Sequence, residues 1–266
     1  MDRPLPANLV DDAYASLGTP GSPAVVDLPV GETVVAFCAH GQEVSSTAAA
    51  IPILVRRVGE AINMLALSIA IILTATAAFA GVENFDAMTP GTLPADWICG
   101  VTGKGSPVWK VETDMSAPSK PNVLKQSGNG TFPWCVMKSV QITDGYVEVK
   151  FKPLAGKEDQ AGGLLWRFKD ADNYYIARAN ALENNVSLYH VEKGRRITIK
   201  YVNAPVATNQ WHILRVEFSG SAIKVRMDDT QYLELNDNHI SGAGAVGVWT
   251  KADSVTEFDD FSYGGQ

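Results

Sequence analysis

The stretch "GGLLWRFKDADNYYIARAN", Gly162 to Asn180, holds two runs of strand-forming residues on either side of a short polar segment. Leu164, Trp166 and Phe168 alternate with Leu165 and Arg167, and that period of two is the period of a β-strand. Asp170-Ala171-Asp172-Asn173 is then the turn between paired strands. A helix-loop-helix calcium site needs a D-x-D-x-D-G run with a distal Glu, which is absent here, so these polar residues read as turn formers.

Outward from this hairpin the same pattern repeats. In "YVEVKFKPL", Tyr146 to Leu154, Val147, Val149 and Phe151 oppose Glu148, Lys150 and Lys152. "RRITIKYV", "WHILRVEFSG" and "AIKVRMDD" alternate in the same way, and Lys193-Gly194 and Asp228-Asp229 sit where tight hairpins turn. The pattern predicts all-β structure: an antiparallel two-sheet jelly-roll sandwich, each sheet with one buried and one polar face. No segment carries three turns of amphipathic helix and no linker divides the region, so the reading is one domain, residues 81–266.

The chain upstream differs. All six Trp lie at or after Trp97 in the 266 residues. Met64 to Gly81, "MLALSIAIILTATAAFAG", is apolar and uncharged, follows Arg56 and Arg57, and closes on Ala78-Phe79-Ala80, the small-x-small pattern of a signal peptidase site. Its apolar core of about ten residues is shorter than the roughly 20 that span a bilayer. Residues 55–80 are therefore expected to be a signal peptide cut after Ala80, leaving no stable membrane span and a secreted or periplasmic product; the rival reading is a membrane anchor. Residues 1–54 show no sustained period and are expected to be a mispredicted extension, with initiation near Val55 or at Met64, or else a disordered leader.

From Gly81 onward 19 Lys and Arg meet 22 Asp and Glu, a net charge of 19 − 22 = −3. That mixed balance does not supply the basic face a nucleic-acid partner needs. Export places Cys99 and Cys135 in an oxidising compartment, where a disulfide between them would close a loop of about 37 residues, worth roughly 3–4 kcal/mol in the chain-entropy model; the alternative is two buried thiols. No CxxC or paired His accompanies them, which argues against a metal-bound pair.

"GGLLWRFKDADNYYIARAN", "VSLYHVEKGRR", "QWHILRVEFSGSAIKVRMDD" and "GAVGVWTKADSVTEFDDFSYG", preceded by "FDAMTPGTLPADW" and "PVWKVETD", occur in an order that resembles the concanavalin A-like lectin/glucanase sandwiches. More narrowly, the chain is similar to secreted laminin-G-like proteins and the 3-keto-disaccharide hydrolase group. The resemblance spans residues 82–264. It implies two opposed sheets with carbohydrate bound across a concave one, lined by the strands of Arg167 and Arg178. Glycosidases of this fold carry an E-x-D-x-x-E strand; the nearest match, Glu112-Thr113-Asp114, has Ala117 where the second Glu belongs, so retaining chemistry on that motif is not supported. Gly162-Gly163-Leu164-Leu165 departs from the Gly-Asn-Ser-Gly-Ile-like strand of the 3-keto-disaccharide hydrolases.

Three candidate sites follow. Aromatic rings stack on sugars, but parity places Trp166 and Trp211 in the core, while Trp249, opposite in parity to Val246 and Val248, stands on the other face. Polar residues at apparent outward positions, Glu148, Arg167, Arg178, Asn180, His190, Arg215 and Glu217, form either a ligand surface or a solvated face with cross-strand ion pairs. Arg167, Arg178, Asn180 and Trp249 are the expected ligand contacts; if the protein is an enzyme, Glu148, Glu217 and His190 are its acid/base groups. The resemblance further implies calcium between the chain ends, with Glu83, Asp259 and Asp260 (and Asp86 beside them) as oxygen ligands. No cofactor is required by this reading. The expected function is non-catalytic carbohydrate or glycan binding, with glycoside hydrolysis or lysis, including the 3-keto-disaccharide type, as the alternative and adhesion to another protein as the third.

Overall fold

The structure, a computed structural model, describes residues 79–265 and the main chain of residues 24–28 and 32–36. The chain divides into two units, Met1–Ile72 and Leu73–Gln266. In the first, strand β1 (Ala24–Leu28) pairs antiparallel with β2 (Glu32–Ala36), Ala24 opposite Ala36. Strands of five residues are too short to register as a sustained period in the sequence. The expected signal segment up to residue 78, and the rest of the expected extension, lie outside the described residues.

The second unit is built from strands, with no helix among the described residues. In chain order these are β3 (Phe79–Glu83), β4 (Trp97–Ser106), β5 (Trp109–Thr113), β6 (Asn122–Gln126), β7 (Asn129–Ile142), β8 (Gly145–Ala155), β9 (Ala161–Asp170) and β10 (Asn173–Asn180). They continue with β11 (Asn185–Glu192), β12 (Arg195–Asn203), β13 (His212–Ser219), β14 (Ala222–Met227), β15 (Thr230–Asn236), β16 (Gly244–Trp249) and β17 (Val255–Gly265). A seven-stranded sheet has the order β12-β11-β10-β9-β16-β7-β4, and an eight-stranded sheet the order β15-β14-β13-β8-β17-β6-β5 with β3 also paired to β17. All pairings are antiparallel, which makes the fold the two-sheet sandwich predicted. Among the described residues no helix is long and apolar enough to cross a membrane.

The core lies between the sheets. Leu164, Trp166, Tyr175, Ala177, Leu188, Val246 and Val248 face Val147, Val149, Phe151, Leu214, Val216, Phe218 and Val225. Trp166 stacks on Tyr175 at 5.2 Å and on Phe218 of the opposite sheet at 5.8 Å. Two of the expected turns are two-residue hairpins with positive φ at both positions, Lys193-Gly194 (50° and 73°) and Asp228-Asp229 (49° and 64°). That geometry matches the twist of the strands they join. Cys99 and Cys135 are direct cross-strand partners on β4 and β7 and form a disulfide.

The expectation of one buried and one polar face holds for the eight-stranded sheet alone. There β13 alternates strictly, and the outward positions carry a ladder of opposite charges. Lys125 and Lys152 flank Glu257 at 3.4 and 2.8 Å, Lys125 also reaches Glu112 at 3.1 Å, and Lys152 reaches Asp114 at 2.5 Å. In the seven-stranded sheet, by contrast, almost every residue of β9, β10, β11 and β16 is buried on both faces. Trp211 is not in the core: its ring lies 4.9 Å from the Lys152 ammonium and its Nε1 donates to Ser116 O at 3.1 Å.

Burial works to raise the Asp114 carboxyl, yet the Lys152 ammonium and the Ser116 donors outweigh it and hold the group well below the usual range. A carboxyl lowered on folding adds stability that is complete above its ordinary value, about 3.8, and is lost as pH falls below it. Asp114→Asn is expected to cost about 1–3 kcal/mol at neutral pH and to flatten the acid limb of the stability profile, checked by urea unfolding across pH.

Candidate functional site

The register of the seven-stranded sheet aligns one residue from each strand in a single row on the face turned away from the other sheet. In order across the sheet the row reads Tyr201, Ser187, Arg178, Gly163, Trp249, Trp134 and Gly100. The two glycines make room for the two indoles. A Cβ on Gly100 would stand 2.5 Å from Cζ2 of Trp134, and one on Gly163 would stand 2.8 Å from Ala177 O and 3.3 Å from Cε3 of Trp249. With hydrogen at both positions the rings lie flat over neighbouring strands. Leu165, Tyr174, Ile176, Val136 and Tyr189 complete this second apolar layer. Burial pushes the Tyr174 phenol up to about 12, and its oxygen lies 2.8 Å from Thr102 Oγ1.

Above the row stands a half-buried cation. The Arg196 guanidinium lies 4.4 Å from the Tyr189 ring, 4.7 Å from Phe132 and 5.8 Å from Trp249, while Phe132 itself stacks on Trp249 at 5.7 Å. Beside it Asp159, fully buried, accepts from Lys251 Nζ and Asn180 Nδ2 and pairs with Arg178 Nη1 at 3.4 Å. Arg178 Nη2 also reaches Glu183 at 2.5 Å and Asn185 at 2.8 Å. Burial tends to raise the Glu183 carboxyl, and the Asn185 amide and Arg178 overcome it, leaving the group low. The buried charges are thus paired and hydrogen-bonded, the condition under which burial is tolerated. A cleft of about 460 Å³ opens over this layer, lined by Lys104, Asn129, Phe132, Glu158, Arg196 and Lys251 among others. Its size lies within the range of small-ligand sites.

Among the residues singled out in the sequence, Arg178, Asn180 and Trp249 come together beneath this cleft. Arg167 lies elsewhere. A positive φ of 48° at Arg167 breaks the alternation of β9, and its guanidinium turns over the Phe218 ring at 5.5 Å. It donates there to the carbonyls of Thr143, Ile240 and Gly220 and to Asp144, which makes it a staple of three loops.

Glu148 and Glu217 stand on the outer face of the eight-stranded sheet, where both bind Arg215, at 3.2 and 2.8 Å. His190 is buried on the inner side of β11, stacked on His239. These three groups do not converge on one cleft, because two sit outside one sheet and the third inside the other. For calcium the donor set does not fit. Asp259 already accepts from Ser119 N, Ser119 Oγ and Asp260 N, Asp260 pairs with Lys150 at 2.7 Å, and Glu83 and Asp86 accept from Phe85 N and Asn122 N. Asp159, Arg196, Lys251, Phe132 and Glu158 went unseen in the sequence: two belong to the loop "GKEDQ", and Arg196 follows a turn with no partner visible nearby.

No family model matches the chain. Levanase of Bacillus subtilis (strain 168) is 31% identical over 116 residues, 43% of this chain and 17% of the levanase, so the chain spans about a sixth of that relative. The solved carbohydrate binding module CBM66 from Bacillus subtilis is similar with a TM-score of 0.52 at 20% identity, over 63% of this chain and 94% of that one. The likeness shows the fold, a concanavalin A-like sandwich.

Gly163→Val is expected to force the Trp249 ring off its strand and cost about 1–3 kcal/mol. Urea unfolding and the near-ultraviolet circular dichroism of the tryptophans would read the loss.

Proposed function

We propose that this protein binds carbohydrate, without catalysis, in the cleft over the seven-stranded sheet. One observation carries the reading: Arg196 held among Phe132, Tyr189 and Trp249, beside a rim of Lys104, Asn129, Glu158 and Lys251. An aromatic surface packs against the C–H face of a sugar ring, and a few placed donors and acceptors take its hydroxyls. Arg178, Asn180, Asp159 and Glu183 then serve from below, fixing Lys251 and the strand ends. Asp159 is engaged by three donors and Glu158 stands alone on the rim, so the cleft offers a binding surface and not the pair of free carboxyl groups that glycoside hydrolysis needs. The levanase likeness and the CBM66 fold support a carbohydrate as ligand.

The Cys99–Cys135 disulfide and the Ala78-Phe79-Ala80 ending support an exported protein, secreted or periplasmic. N-terminal sequencing of the exported chain is expected to begin at Gly81; a start elsewhere removes the signal-peptide reading.

On a glycan array, Arg196→Ala and Lys251→Ala are expected to weaken binding at least about tenfold, roughly 1.4 kcal/mol, and Glu217→Gln to leave it unchanged. A parallel hydrolysis screen is expected to show no turnover. Turnover abolished by Glu217→Gln would reverse the reading.

A further inference from the structure

The described part of the chain holds three histidines, and two of them meet. His190, on β11, is 2% exposed, and neither ring nitrogen has a hydrogen-bond partner among the described residues. Its ring stacks on that of His239 with centroids 4.1 Å apart. His239 belongs to the loop after β15, "NDNHI", and its Nδ1 lies 2.9 Å from both carboxylate oxygens of Asp237. The third, His212, is already bonded through both nitrogens, to Asp228 and to the Ala207 main chain.

A buried imidazole with two idle nitrogens leaves polar atoms unsatisfied, a cost a native site normally relieves with a partner, a water or an ion. One ligand atom from each of His190, Asp237 and His239 can be chosen so that all lie within 4.8 Å of one another. Two imidazoles and a carboxylate are the donors that zinc and its neighbours in the first transition row prefer, whereas calcium takes oxygen alone.

The outer partners are in place as well. The Tyr175 hydroxyl donates to Asp237 Oδ1 and accepts from Ile240 N at 3.1 Å, so one carboxylate oxygen is fixed, while Oδ2, held only by His239 Nδ1, is released to an ion when that ring turns. Such second partners orient the ligands of metal sites.

We propose that His190, Asp237 and His239 form a binding site for a divalent transition metal of the zinc class, separate from the carbohydrate cleft. Three protein ligands leave a fourth position to water. The stacked imidazoles have nearly parallel planes, so binding requires one ring to turn until both nitrogens point at the ion. His239, whose side chain is 53% exposed, is the ring free to turn. The ion would tie the loop after β15 to β11 of the other sheet.

The test uses the full chain, stripped with chelator and dialysed. Zn²⁺ is titrated by calorimetry and Co²⁺ by its visible absorption. One equivalent of Zn²⁺ is expected, with a Co²⁺ spectrum of four-coordinate type. His239→Ala, at an exposed position that leaves folding intact, is expected to lose at least about tenfold in affinity, and Tyr175→Phe about tenfold through the outer partner. His212→Ala is expected to bind as the parent does. Absence of Zn²⁺ binding to the folded parent, or binding that His239→Ala leaves unchanged, overturns the proposal.

Discussion

Trp166 is held between Tyr175 on the next strand and Phe218 on the opposite sheet, and the rest of the sandwich is organised by that contact. A buried indole removes some 150–250 Å² from water, worth about 4–6 kcal/mol at the usual coefficient. Its larger effect is on register. In a strand neighbouring side chains point to opposite faces, so fixing Trp166 inward fixes Leu165 outward, and pairing carries the choice to Ile176, Gly247 and Val136. A slip of one residue on β9 would exchange the aromatic layer beneath the cleft with the shared core.

The outer faces of the two sheets answer different problems. On the eight-stranded sheet, Lys125, Glu257 and Lys152 sit side by side across three strands, and Arg215 joins Glu148 to Glu217. The part-exposed pairs of Arg215 add little stability each, whereas Lys152 and Glu257 are nearly buried and depend on each other's charge. On the seven-stranded sheet, indoles laid over Gly163 and Gly100 give an apolar layer, Asp159 is matched by Arg178 and Lys251 beside it, and Arg196 stands half-buried against the rings. Under the proposed function, a sugar, apolar on one side of its ring and hydroxylated at its edge, meets the second face through Phe132, Arg196 and Lys251.

The fold was legible in the chain because its commonest signal, alternation bounded by turn residues, is also its physical cause. β8, β13 and β14 obey it, and the turns at Lys193-Gly194 and Asp228-Asp229 lie where the polar residues put them. The site was legible in part. The parity that sets Trp249 apart from Val246 and Val248 is local and visible. The bulge at Arg167 is not, since no glycine marks it and the reversal comes from loops that arrive from residues 143, 220 and 240. His190, taken in the sequence for an outward residue, shares the parity of the core residues Val186 and Leu188 and faces inward, where a distant loop brings His239 over it. Asp159 looks like one more loop acid until Lys251 and Arg178, 92 and 19 residues away, meet it.

The disulfide between Cys99 and Cys135 sits on the outermost strand of the seven-stranded sheet, next to the positions that receive Trp134 and Thr131. An edge strand is ordinarily the first part of a sheet to fray, and its breathing would open the neighbouring rim at Lys104 and Asn129. A covalent tie near the start of that strand, at its third residue, pins it to β7 and limits how far the rim can open before any ligand arrives, so less ordering remains to be done on binding. In a reducing environment the same edge would breathe, and the cleft would have to assemble around its ligand instead of waiting for it.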